Sequence, residues 1–224
     1  MSRRYELPDR LIPRLVLYIG GLLMTSTAVL CFVKSNLGVS PVVSVPYVLS
    51  RVFPITQGQA VMIVFSLFVL LQWPILGKAF RLVTFLQLIA AILFGYLNDF
   101  VYLLFPITTP ATYLGRLSLL GLGLILFAVG IIIYMKAGLF LLPVEGIQQA
   151  IVLSYKIPFS VVKTSFDLSM VVVSLLIGYL IMGQVIGVRE GTLLAGILVG
   201  PLIHLFHHWF APLWQMIDHW VAGK

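Results

Sequence analysis

The longest charge-free stretches of this chain are 15–33, 52–77, 82–98, 117–135, 168–188 and 191–217. Each is near or above the roughly 17–25 residues that carry an α-helix across a ~30 Å hydrocarbon core. Strands of a membrane barrel would instead alternate apolar and polar positions over segments of about ten residues, and no such alternation runs here. The pattern predicts an all-α, polytopic membrane protein. Two shorter apolar segments, 41–53 and 143–155, lie between the long ones. Pro41 and Pro143 open them, at the position where proline suits the first turn of a helix, and Ser40 stands as N-cap of the first. About thirteen helical residues reach only some 20 Å. That length suits a half-helix or a re-entrant segment better than a full crossing.

The same layout occurs twice. Pro13-Arg14-Leu15 opens a run that reaches Lys34-Ser35-Asn36-Leu37-Gly38 and then Pro41. Gly115-Arg116-Leu117 opens a run that reaches Lys136-Ala137-Gly138-Leu139 and then Pro143. At one constant offset Arg14 falls on Arg116, Gly21 on Gly123, Lys34 on Lys136 and Ile55 on Ile157. After a short insertion the register resumes, with 87–95 over 192–200. The sequence thus reads as repeat one (13–104) and repeat two (115–206) within a single transmembrane domain, 13–210. A short N-terminal segment, 1–12, and an interfacial tail, 211–224, flank it. Each repeat is three long helices plus one half-helix; the alternative is four spanning helices each. Duplicated apolar chains are a known route to transporters, with the site where the halves meet.

Composition sharpens the class. The chain is 61% hydrophobic and 9% charged, against about 25% charged for a soluble domain. Its net charge is +7, but the basic residues stand at span ends, where they set membrane orientation rather than bind nucleic acid. If the short segments do not cross, nine lysines and arginines fall on the side of the N-terminus. Four (Lys34, Arg51, Arg116, Arg189) fall on the other. That predicts a cytoplasmic N-terminus and inverted halves. The matched pairs Arg14/Arg116 and Lys34/Lys136 pull the other way, since inversion puts the members of each pair on opposite sides. The first run is span-length with no small-residue cleavage site, so it reads as a helix rather than a removed signal. The single cysteine, Cys31, lies inside it, so no intrachain disulfide is possible.

Charges inside spans are candidate chemistry, because a charge at the bilayer centre costs about 2.5–3.5 kcal/mol on insertion scales. Glu145 sits at the start of the second half-helix, where its repeat equivalent is Val43. Lys163 and Asp167 are spaced i,i+4 on one helix face and can pair. Gln148 continues the second half-helix, and Asn36 and Ser40 surround the first. These six residues are the expected substrate-binding or ion-coupling set. Lys163 would hold a carboxylate or an anionic substrate group, and Glu145 or Asp167 would carry the coupling proton. Arg189–Glu190 reads as a solvated loop pair. His204, His207 and His208 belong to an interfacial stretch with Trp209, Trp214 and Trp220. No catalytic constellation, nucleotide loop or metal set is present, so neither an enzyme nor a cofactor is expected.

The second half carries a recognisable order of elements. Gly130-Ile-Ile-Ile-Tyr-Met-Lys-Ala-Gly138 leads to Pro143-Val-Glu145-Gly146. Lys163 follows, then Gly187-Val-Arg-Glu-Gly191-Thr192 and Gly200-Pro201. This order, with Asn36-Leu-Gly-Val-Ser-Pro41 in the first half, resembles the bacterial YczE/YitT family of membrane proteins over about 13–206. Val144-Glu145 stands where that family has Trp-Asp. Leu141 and Leu142 stand where it has glycines. The resemblance implies an inner-membrane location and a transport role, and names no substrate.

The expected function is therefore a secondary transporter or permease for a small solute. The alternative is a membrane-embedded capture component that binds a vitamin-like molecule for a separate energising complex. The expected partners are the lipid bilayer and that solute, with room for a homo-oligomer.

Overall fold

A computed structural model describes residues 10–222. The expected N-terminal segment therefore lies mostly outside the described residues, as do Arg3, Arg4 and Lys224. The described chain forms nine α-helices and no strand. Six helical segments are long and apolar enough to span a membrane. The helices are α1 (Leu11–Ser35), α2 (Pro41–Val52), α3 (Gln57–Leu76), α4 (Leu86–Leu104) and α5 (Tyr113–Lys136). They continue with α6 (Pro143–Tyr155), α7 (Phe159–Met182), α8 (Glu190–Trp209) and α9 (Ala211–Ala222). A 3-10 turn, Leu82–Phe85, leads into α4. The bundle's outer surface is apolar: Leu67, Leu70, Ile89, Tyr96, Leu180 and Ile197 are all exposed. A soluble bundle would put polar side chains there, whereas a lipid-facing one needs this surface.

The centre of the bundle is the α1–α5 pair, and glycines set its spacing. A Cβ on Gly21 would lie 2.5 Å from the Tyr134 backbone nitrogen, and one on Gly130 would lie 2.7 Å from Thr25 Oγ1. The helices approach backbone to backbone, as small residues permit in membranes. The order of contacts gives the direction. Gly21 meets Gly130 and Tyr134, whereas Cys31 and Phe32 meet Gly123. The two helices are antiparallel. At one end Arg14 Nη1 donates to the Ala137 carbonyl at 3.1 Å, closing the C-terminus of α5.

The short helices do not cross. Pro41 packs beside Gly196, two turns into α8, so α2 begins inside the bundle. In its last turn Arg51 reaches Tyr102, near the end of α4. Lys34, at the end of α1, stands over the same Tyr102 ring at 5.0 Å. The chain therefore leaves α1, dips inward and returns to the face it left. α6 repeats this at the opposite face. Gly146 meets the Gln87 side chain in the first turn of α4. Ser154 Oγ then donates to the Ile75 carbonyl at the end of α3, at 2.9 Å. α2 thus returns to the face of Lys34, and α6 to the face of Arg14 and Lys136. Arg14 and Lys136 share one face, and Lys34 and Arg116 share the other. The repeat-matched basic residues, which pointed against inversion, hold different local posts. Arg14 caps α5, while Arg116 Nε donates to the Pro110 carbonyl at 2.9 Å.

Two polar groups at span ends have structural jobs. Asp99 accepts from Thr56 Oγ1 at 2.6 Å and from the Gly58 N–H at 2.8 Å, so it satisfies the first turn of α3. Buried Asn98 donates to the Phe94 carbonyl at 2.7 Å and to Ser26 Oγ at 3.3 Å. The tail is a helix held by two contacts. Asp218 pairs with Lys136 at 2.7 Å, and Trp214 Nε1 donates to the Phe206 carbonyl at 3.0 Å.

Candidate functional site

Both half-helices open on a central cavity of about 530 Å³. That volume falls within the range of small-molecule sites. Val42 and Val43 of α2 reach it from one side, and Val144, Glu145 and Gln148 of α6 from the other. Phe65 of α3, Phe94 of α4 and Phe127 of α5 give it aromatic walls. The cavity extends to Met135, Val152 and Phe159. These stand at the last turns of α5 and α6 and the first residue of α7, so it leads toward the face that holds Arg14 and Lys136.

The opposite face is closed by backbone. The Val39 N–H donates to the Gly187 carbonyl at 2.9 Å, and the Gly191 N–H donates to the Leu37 carbonyl at 2.7 Å. Arg189 Nη1 donates to the Asn36 carbonyl at 2.9 Å. Gly38, at φ 109°, lies where a Cβ would be 2.5 Å from Thr192 Oγ1. Only glycine combines that conformation with that approach. The Gly187…Gly191-Thr192 run thus binds the segment between α1 and α2 to the start of α8.

Three of the six expected residues line the cavity. Glu145 is half-buried on its wall, with Oε2 fully enclosed. It occupies the first turn of α6, where free N–H groups and the helix dipole favour a carboxylate. The Tyr134 hydroxyl lies beside it and Tyr18 is close by. Neither hydroxyl, nor Glu145 Oε2, has a well-formed hydrogen bond. Lys163 reaches the cavity from the second turn of α7, and Gln148 lies one turn beyond Glu145 on α6. Asp167, buried behind Lys163, takes its ammonium at 2.6 Å and keeps Oδ1 unpartnered.

The other two lie elsewhere. Ser40 is buried at the N-cap position of α2, but its side chain makes no capping bond and does not line the cavity. Asn36 is exposed at the end of α1. It adopts a left-handed conformation (φ 53°) that ends the helix. Arg189–Glu190 is an exposed pair at 3.3 Å, as its loop position suggested. Among the described residues no three His, Cys, Asp or Glu side chains converge as a metal site. Sequence reasoning missed the aromatic walls and the Tyr18–Tyr134 pair, whose rings meet edge-on at 6.1 Å. The i,i+4 step from Gly130 to Tyr134 and the charge at Glu145 were the signals for the latter.

Fold and cavity define a polytopic, helical membrane protein with an internal polar site. Residues 12–208 match a family of unknown function, DUF6198, and the chain belongs to that family. No curated protein and no solved structure matches it.

Proposed function

We propose that this protein is a secondary transporter for a small solute, working by alternating access around the central cavity. The observation that carries this is the asymmetry of the cavity. It sits where the two short helices begin, leads to one face, and is closed at the other by a few backbone hydrogen bonds. Opening that closure while the other face shuts would pass the site from side to side. Transporters built from opposed halves place their sites in this way, at broken or partial helices near the midplane. The two sequence repeats supply the halves of one transmembrane domain, and the resemblance to the YczE/YitT family is consistent with such a role.

In this reading the protein lies in a bacterial inner membrane. Arg10, Arg14, Lys78, Arg81, Lys136 and Lys156 mark the cytoplasmic face, because the basic excess sits there. The cavity is then open inward. Glu145 is the coupling carboxylate, and Lys163 with Asp167 sets the polarity of the entrance. The protein performs no catalysis of its own.

The test is solute uptake into liposomes containing only the purified protein. Accumulation or exchange that depends on the protein is expected. Saturable binding without any uptake would instead favour a capture component serving an energising complex.

A further inference from the structure

The cavity's charges do not balance. Lys163 is taken by Asp167 at 2.6 Å, so that pair presents little net charge. Glu145 has no such partner; the ion pairs among the described residues are Lys136–Asp218, Lys163–Asp167 and Arg189–Glu190. Its enclosed Oε2 has no hydrogen-bond partner. The Tyr134 side chain beside it offers a phenolic O–H, which can donate a hydrogen bond to a carboxylate but cannot cancel its charge. The first turn of α6 favours the ionised carboxylate. Apart from this cluster and the neutral side chains of Thr25, Gln148 and Gln149, the wall is aliphatic and aromatic, with Phe65, Phe94 and Phe127 on it. A site with one carboxyl group that lacks a cationic partner, and several aromatic faces, suits a cation that carries apolar surface. An inorganic cation fits poorly, since it needs several oxygen ligands and the wall offers few.

We propose that the cavity binds a small organic cation of the tertiary or quaternary ammonium kind. Its charge faces Glu145, and its apolar body lies against Phe65, Phe94 and Phe127. The inference rests on the cavity being the solute site, and it names the class of solute.

Thermal unfolding of the detergent-purified, full-length protein tests this at matched ionic strength. The probes are choline, tetraethylammonium, the neutral isostere of choline with carbon in place of nitrogen, and pivalate as an anion of similar bulk. The two cations are expected to raise the midpoint by about 5 °C near saturation, and the neutral and anionic probes by less than about 1 °C. Glu145→Gln should weaken cation binding by about thirtyfold or more. If that variant does not fold, the charge series on the unaltered protein still decides. Equal stabilisation by the neutral isostere, preference for pivalate, or no response to either cation would overturn the proposal.

Uptake separates the two readings. Protein-dependent uptake of another solute, with no cation response, sinks the substrate class and leaves the transporter. Cations that bind but never cross sink the transporter and leave the site.

Discussion

Asp167→Asn is expected to destabilise the protein more than loss of the whole Lys163–Asp167 pair. The single change leaves an ammonium in a largely apolar bundle without its carboxylate. Breaking a buried pair in this way costs on the order of 3 kcal/mol or more. The Lys163 side chain is 32% exposed, so the lower end of that range applies. The double change Lys163→Met/Asp167→Leu removes both charges and fills the space with apolar atoms, which is often neutral or better. Unfolding midpoints should therefore rank unaltered protein and double variant together, with Asp167→Asn well below. Solute binding by the double variant then gives the pair's role. Unchanged binding assigns it to packing and leaves Glu145 as the residue that meets the solute. Lost binding in a folded double variant places the pair in the site. Equal stability of the single and double variants would contradict the buried-pair account.

Adjacent glycines in α1 should respond in opposite directions. Gly21 touches the backbone of α5, and a Cβ there would lie 2.5–2.9 Å from Tyr134 and Gly130 atoms. Backbone cannot rotate away, so Gly21→Ala must push the helices apart, at about 1–3 kcal/mol. Gly21→Val should approach the limit of folding. Gly20 has nothing within 4 Å of its would-be Cβ. Gly20→Ala should thus be neutral or stabilise by up to about 1 kcal/mol, as alanine does in a helix interior. Thermal unfolding of the two alanine variants checks this. Similar losses at both positions would mean that α1 and α5 do not pack through Gly21.

The long helices were legible because charge-free runs and span length report directly on lipid exposure. α1 and α5 fall within four residues of their runs, whereas α7 begins nine residues before its run, because Lys163 and Asp167 pair inside the helix. The half-helices were legible from Pro41 and Pro143 together with their length. Their direction rests in the sequence on the balance of basic residues alone, and Arg14 and Arg116, which pull against it, look alike in sequence while doing different local work. The charged part of the candidate site was legible, since Glu145, Lys163 and Asp167 are costly in a membrane and so stand out. Phe65, Phe94 and Phe127 were not, because aromatic residues in a span look the same whether they face a cavity, a neighbour or lipid. Asn36 stands out by its polarity, yet a Ser-Asn-Leu-Gly sequence at a helix end is equally a stop signal. The left-handed Asn36 followed by Gly38 bears that out.

The central claim is that the cavity faces the two sides of the membrane in turn. Gln148→Cys, in a background where buried Cys31 is replaced by serine, places one thiol on the cavity wall. In sealed vesicles a membrane-impermeant thiol reagent can then be applied to either side. Alternating access predicts rapid modification from the face that holds Arg14 and Lys136, and slower but complete modification from the opposite face. Modification from one face alone, however long the exposure, would contradict it.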